Sequence, residues 1–196
     1  RRAGDFLEQA GEADALILAE HFVRSKESGR AARYYLCAGL QSFECNDLEG
    51  ALVRAERGID CAPSGQTLGE LRTLRAMAHC WRSDIESGYR MSVAALPLIR
   101  RTSRWECIVL FHGTWSSLVL GREDDFVAMA TQLVAAQPDA GARRDYLLWC
   151  PLAASLLTSY GRRELARDLL AEIHGPDEMH AIMQTNGQRF YRLPRG

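Results

Sequence analysis

Lysine is almost missing from this chain: of 24 basic residues in 196, Lys26 is the only one that is not arginine. A P-loop needs a lysine after its glycines, a protein kinase needs one on the ATP phosphates, and Schiff-base enzymes need one as nucleophile. Lys26 sits in Ser25-Lys26-Glu27-Ser28-Gly29, a helix-to-helix turn that offers none of those settings. An excess of either charge is also missing. The net charge is −1 and the isoelectric point about 6.6, so no global field concentrates nucleic acid or an anionic membrane, and neither is expected as a partner. No apolar run approaches the ~20 residues that cross a bilayer, and Arg1-Arg2 leads into no signal-type segment. A cytoplasmic chain is expected. It lacks an initiator Met and ends in Leu193-Pro194-Arg195-Gly196, which reads as a segment excised from something longer. Finally, no C-x-x-C pair occurs among the six cysteines, Cys37, Cys45, Cys61, Cys80, Cys107 and Cys150. Each lies among apolar helix formers, and buried reduced thiols are expected rather than disulfides or zinc.

What is present is an ordinary globular composition, 47% hydrophobic and 25% charged, enough to bury roughly 70% of the extended-chain surface in a core without staples. The strongest organising signal is a repeat. The turn-like pairs Asn46-Asp47, Ser83-Asp84, Gly121-Arg122 and Gly161-Arg162 are each followed by a similar helix opening at intervals of 37 to 40 residues. Between them apolar residues recur at three and four, as in Leu48, Ala51, Leu52, Ala55 and Ile59, giving each helix one buried stripe. Helices are predicted at 2–10, 13–25, 30–45, 48–61, 67–82, 85–101, 104–120, 123–136, 142–160 and 163–174, with a short last one near 178–184. Asn186-Gly187 has hairpin-turn chemistry, but its flanks are too short and isolated for a stable sheet.

Short connections between helices force antiparallel neighbours, so the expected fold class is all-α, an α-solenoid of antiparallel helix hairpins. Small residues twelve apart support close approach within a pair: Gly39 with Ala51, Ala76 with Gly88, Ala154 with Ala166. Pro63 and Pro138 stand twelve residues beyond Ala51 and Phe126 and stop the second helices. The third pair departs, with Thr114 and Phe126 in the small-residue places, and a wider or repacked crossing is expected there. The organisation is read as residues 1–29 preceding or capping the array, four helix pairs at 30–62, 67–101, 104–137 and 142–174, and a tail at 175–196.

The run Arg33-Tyr34-Tyr35-Leu36-Cys37-Ala38-Gly39, followed by Ala51, Ala55, Gly58 and Pro63, resembles a tetratricopeptide repeat, with degenerate copies to about residue 174. A longer resemblance, through Phe6-Leu7-Glu8-Gln9-Ala10-Gly11-Glu12, Leu18-Ala19-Glu20-His21-Phe22, Arg54-Ala55-Glu56-Arg57-Gly58 and His79-Cys80-Trp81-Arg82-Ser83-Asp84, is to the helical C-terminal region of large bacterial signalling proteins. In those a protein kinase or a STAND-class ATPase precedes a tetratricopeptide-like array. The resemblance implies a regulatory role; the residues that would carry those activities are not in this chain.

Candidate sites are few. His174, Asp177, Glu178 and His180 fit no metal motif and read as a helix stop and start around Gly175-Pro176. His79-Cys80 point about 100° apart on a helix, and Cys107 and His112 share no ridge, so neither makes a thiol–base pair; His21 reads as a partly buried helix residue. The pairs Arg100-Arg101, Arg143-Arg144 and Arg162-Arg163 read as solvated helix ends. No catalytic, cofactor or metal site is expected. The aromatic set Trp81, Trp105, Phe111, Trp115, Trp149 and Tyr160 either fills gaps between successive pairs or, with Met77, lines a groove on the first helices. The candidate groove residues are Met77, Trp81, Phe111 and Trp115. The expected function is non-catalytic, a surface for a protein or peptide, for other domains of the same polypeptide or for a second copy in a homodimer; the alternative is a sensor that binds a small effector in the groove.

Overall fold

The computed structural model describes residues 14–173, and every regular element among them is a helix. In chain order these are α1 (Ala15–Arg24), α2 (Ser28–Glu44), α3 (Leu48–Asp60), α4 (Gly65–Trp81), α5 (Ile85–Ala95), a 3-10 turn at Leu96–Leu98, α6 (Arg104–Val119), α7 (Glu123–Val134), α8 (Arg143–Ser159) and α9 (Arg163–Ile173). The expected helix at 2–10, the tail from 175 and the group around His174–His180 lie outside the described residues. The described residues form two compact units, divided between Arg100 and Arg101.

One turn recurs. After α1, α2, α4, α6 and α8 the chain makes the same reversal through a residue with positive φ: Lys26 at 60°, Asn46 at 61°, Ser83 at 63°, Gly121 at 69° and Gly161 at 80°. In each, the amide of the next residue donates to a carbonyl five back, as in Asp47 to Ser42 (2.8 Å), Asp84 to His79 (2.9 Å) and Arg122 to Ser117 (2.9 Å). The positive-φ residue donates to a carbonyl three back, as in Asn46 to Phe43 (3.0 Å). These are Schellman closures, which satisfy the orphan carbonyls of the ending helix. The residue after the left-handed one opens the next helix: Asp47 and Asp84 cap α3 and α5 by accepting from the Gly50 and Ser87 amides. A Cβ is disfavoured at such a φ. Ser83→Gly is therefore expected to raise unfolding free energy by about 0.5–1 kcal/mol, read as a shift of the urea midpoint; an unchanged or lowered midpoint would mean the Ser83 turn is not strained.

In the first unit α2 and α3 run antiparallel: Gly39 faces Ala51 and Arg54, and Gly58 faces Tyr35. A methyl group on Gly39 would come within 2.6 Å of Leu74 Cδ2, and one on Gly88 within 2.5 Å of Cys80 Sγ and 3.4 Å of the Ala76 carbonyl. Gly39–Ala51 and Ala76–Gly88 are thus the places where backbones approach closely. The first helices α2 and α4 lie side by side and parallel, since Gly39 meets Leu74 and, further along, Phe43 meets Trp81. At the other end of the unit Phe22 of α1 is fully buried with Leu18 and Ala31, stacks on Tyr34 at 5.4 Å and lies under the Arg30 guanidinium at 3.8 Å. Glu20 ties three helices, accepting from Tyr35 Oη at 2.9 Å and from Arg57 at 2.8 Å.

The helix expected over 85–101 is shorter. It stops at Ala95, because Pro97 brings no amide and tightens the chain into the 3-10 turn, after which Ile99 is extended. Pro63 and Pro138 likewise stand beyond helices that have already ended, at Asp60 and Val134.

The second unit is built around α6, buried on most sides from Glu106 to Ser117. Its polar residues are absorbed locally: Ser116 and Ser117 donate to the His112 and Gly113 carbonyls at 2.6 and 2.7 Å. At its start Ser103, the N-cap, accepts from the Glu106 amide at 3.4 Å, and the Glu106 carboxylate accepts from the Thr102 amide at 2.7 Å. Helices α7 and α8 are antiparallel, joined by Tyr146 Oη donating to the Val134 carbonyl at 2.8 Å and by Phe126 against Tyr160 at 5.1 Å. Ala154 and Ala166 are buried, and so are Thr114 and Phe126. Helices α6 and α8 run parallel, with Arg104 beside Asp145 at 3.5 Å and Phe111 stacked on Trp149 at 4.3 Å. Pro151 lies inside α8 and is buried.

Candidate interaction surface

In each unit two first helices lie parallel, and an aromatic pair bridges each seam, Phe43–Trp81 in the first unit and Phe111–Trp149 in the second. On α4, Met77 is half-buried and Trp81 is 65% exposed. Trp81 meets Phe43 of α2 edge to face, with ring centroids 6.3 Å apart and an interplanar angle of 81°. On α6, Phe111 is half-buried against Trp149, while Trp115, one turn on, is 41% exposed. Met77 and Trp81 thus belong to the first unit, Phe111 and Trp115 to the second. The Phe111–Trp149 stack fills a seam between helix pairs, and Trp81 stands out into solvent beside Phe43.

Burial governs the titratable groups around these seams. His112, against Phe111 at 5.5 Å and Trp149 at 6.0 Å, is buried, and its pKa is lowered to about 4 because no water solvates its charged form. Burial first, then the Glu106 charge, pushes the Cys107 thiol up to about 12; burial holds Cys150 and Cys80 at about 11. Such thiols are poor nucleophiles at neutral pH. The buried-cysteine expectation fails for Cys37 and Cys45, which are exposed, and for Cys61 and Cys80, which are half-covered. Cys37 points away from the stripe that packs on α3, and Cys45 is the C-cap of α2, where the chain already turns outward.

One contact was not legible in the chain. His79 Nδ1 lies 3.0 Å from Asp84 Oδ2 across the Schellman turn; burial lowers the His79 pKa, opposed by the neighbouring Asp84 carboxylate. His21 is half-buried, as expected, and the three arginine pairs are all exposed. Among the described residues no group of three or more His, Cys, Asp or Glu is placed to hold a metal, and no helix is long and apolar enough to cross a membrane.

Comparison with protein-family models, curated proteins and solved structures finds no match for this chain.

Two clefts in the first unit fall outside the expected groove. One of about 610 Å³ opens between the starts of α2 and α4, lined by Ser28, Arg30, Arg33, Pro63, Ser64 and Thr67. Another of about 500 Å³ lies by the end of α2, with Gln41, Ser42, Asp47 and Arg54 on its walls. Both are wide open, unlike the enclosed pockets that hold small molecules. Neither contains Met77 or Trp81.

Proposed function

We propose that this chain is a tetratricopeptide-like α-solenoid interaction domain, the regulatory part of a larger bacterial signalling protein with a kinase or ATPase elsewhere in its sequence. The observation that carries the reading is the exposed tryptophan on a seam of parallel first helices. Hairpins closed by one repeated turn back each seam, and large aromatics left in solvent there are the side chains that dominate binding energy when a partner desolvates them. No bond is made or broken; the domain acts by holding a peptide, a neighbouring domain or a second copy.

Titration calorimetry of the 196-residue chain with the kinase or ATPase domain encoded beside it tests this. Saturable binding that weakens about tenfold or more when Trp81 or Trp115 is changed to alanine is the expected result. Absence of binding, together with a metabolite that raises the melting temperature, would replace the interaction domain with an effector sensor, since a ligand that prefers the folded state must stabilise it.

A further inference from the structure

We draw no further inference here: the strongest candidate, the open cleft of about 610 Å³ between the starts of α2 and α4, has only two helix N-termini to point to an anion, since its Arg30 is already held by the Glu27 carboxylate at 3.1 Å and no second feature of the cleft indicates a ligand.

Discussion

Phe126→Ala is expected to lower the unfolding free energy by about 3–5 kcal/mol, the range for deleting a fully buried aromatic ring, measured as the loss in urea midpoint at constant slope. Phe126 has no exposed surface and opens α7 at the place that Ala51 and Gly88 occupy in the first unit's hairpins. Opposite it, α6 carries Thr114 where α2 has Gly39. The third pair thus replaces two small residues by a medium one and a large one, and the ring fills volume that also touches Tyr160 at the end of α8, 5.1 Å away. The lining belongs to helices tied by Tyr146 to the Val134 carbonyl and by Arg162 to Glu123 at 2.8 Å, so the cavity cannot close by a side-chain hop alone. Phe126→Leu keeps most of the volume and should cost about 1–1.5 kcal/mol. A loss below about 1 kcal/mol for the alanine variant would show that α6, α7 and α8 collapse around the site, and that Phe126 is a passenger there.

Helices were legible because a stripe at three and four is a strong signal over twelve or more residues, and most ends fell within two positions. All five Schellman turns fall where the sequence reads a turn, and in four the turning residue supplies the chemical reason: Asn46, Ser83, Gly121 and Gly161 are residues that loops tolerate, and each sits beside a capping or charged residue. Lys26 takes the same conformation, at φ 60°, with nothing in its side chain to announce it; Ala62 and Thr102, at 53° and 70°, are equally silent. There the fold imposes the backbone and local preference yields. The end of α5 was misjudged because Leu96 and Leu98 continue the apolar pattern through Pro97, and hydrophobic spacing carries no information about a missing amide.

The candidate surface was only half legible, since exposure depends on what neighbouring helices cover. Leu74, Met77, Ala78 and Trp81 form one helical stripe in the sequence, yet Leu74 and Ala78 are fully buried and Trp81 is 65% exposed. The difference is set by the register of α2 against α4, in which Phe43 is the only ring that meets the indole among the described residues, at 81° with centroids 6.3 Å apart. In the second unit the equivalent register sets Phe111 face to face with Trp149, and that ring pair is stacked. Parallel register between helices some forty residues apart leaves no trace in either helix alone. His79 and Asp84 were missed for a related reason: a five-residue separation is unproductive along a helix and becomes a contact only when the turn folds the chain back.

His112 should make the protein acid-sensitive in a defined window. Its imidazole is fully buried among Phe111, Trp149 and the α6 interior, with its Nδ1 lacking a hydrogen-bond partner among the described residues, and desolvation alone lowers its pKa to about 4. The unfolded chain offers an ordinary histidine of pKa about 6.5. Above pH 6.5 neither state is protonated and the full stability is present. As pH falls the unfolded state takes up a proton that the folded state refuses, so stability is lost between pH 6.5 and 4. The size follows from the gap: about 2 kcal/mol lost by pH 5 and about 3 kcal/mol by pH 4. Lowering of the His79 pKa adds a smaller term of the same sign, since the folded state again refuses the proton. Unfolding free energies at pH 7.5, 6 and 5 for the parent and for His112→Leu separate the two. The leucine variant keeps an apolar group of similar reach, removes the titration, and should lose most of the slope between pH 6.5 and 5. An unchanged slope would mean that His112 is protonated in the folded state, and hence that α6 admits water beside Trp149 or places an anion there.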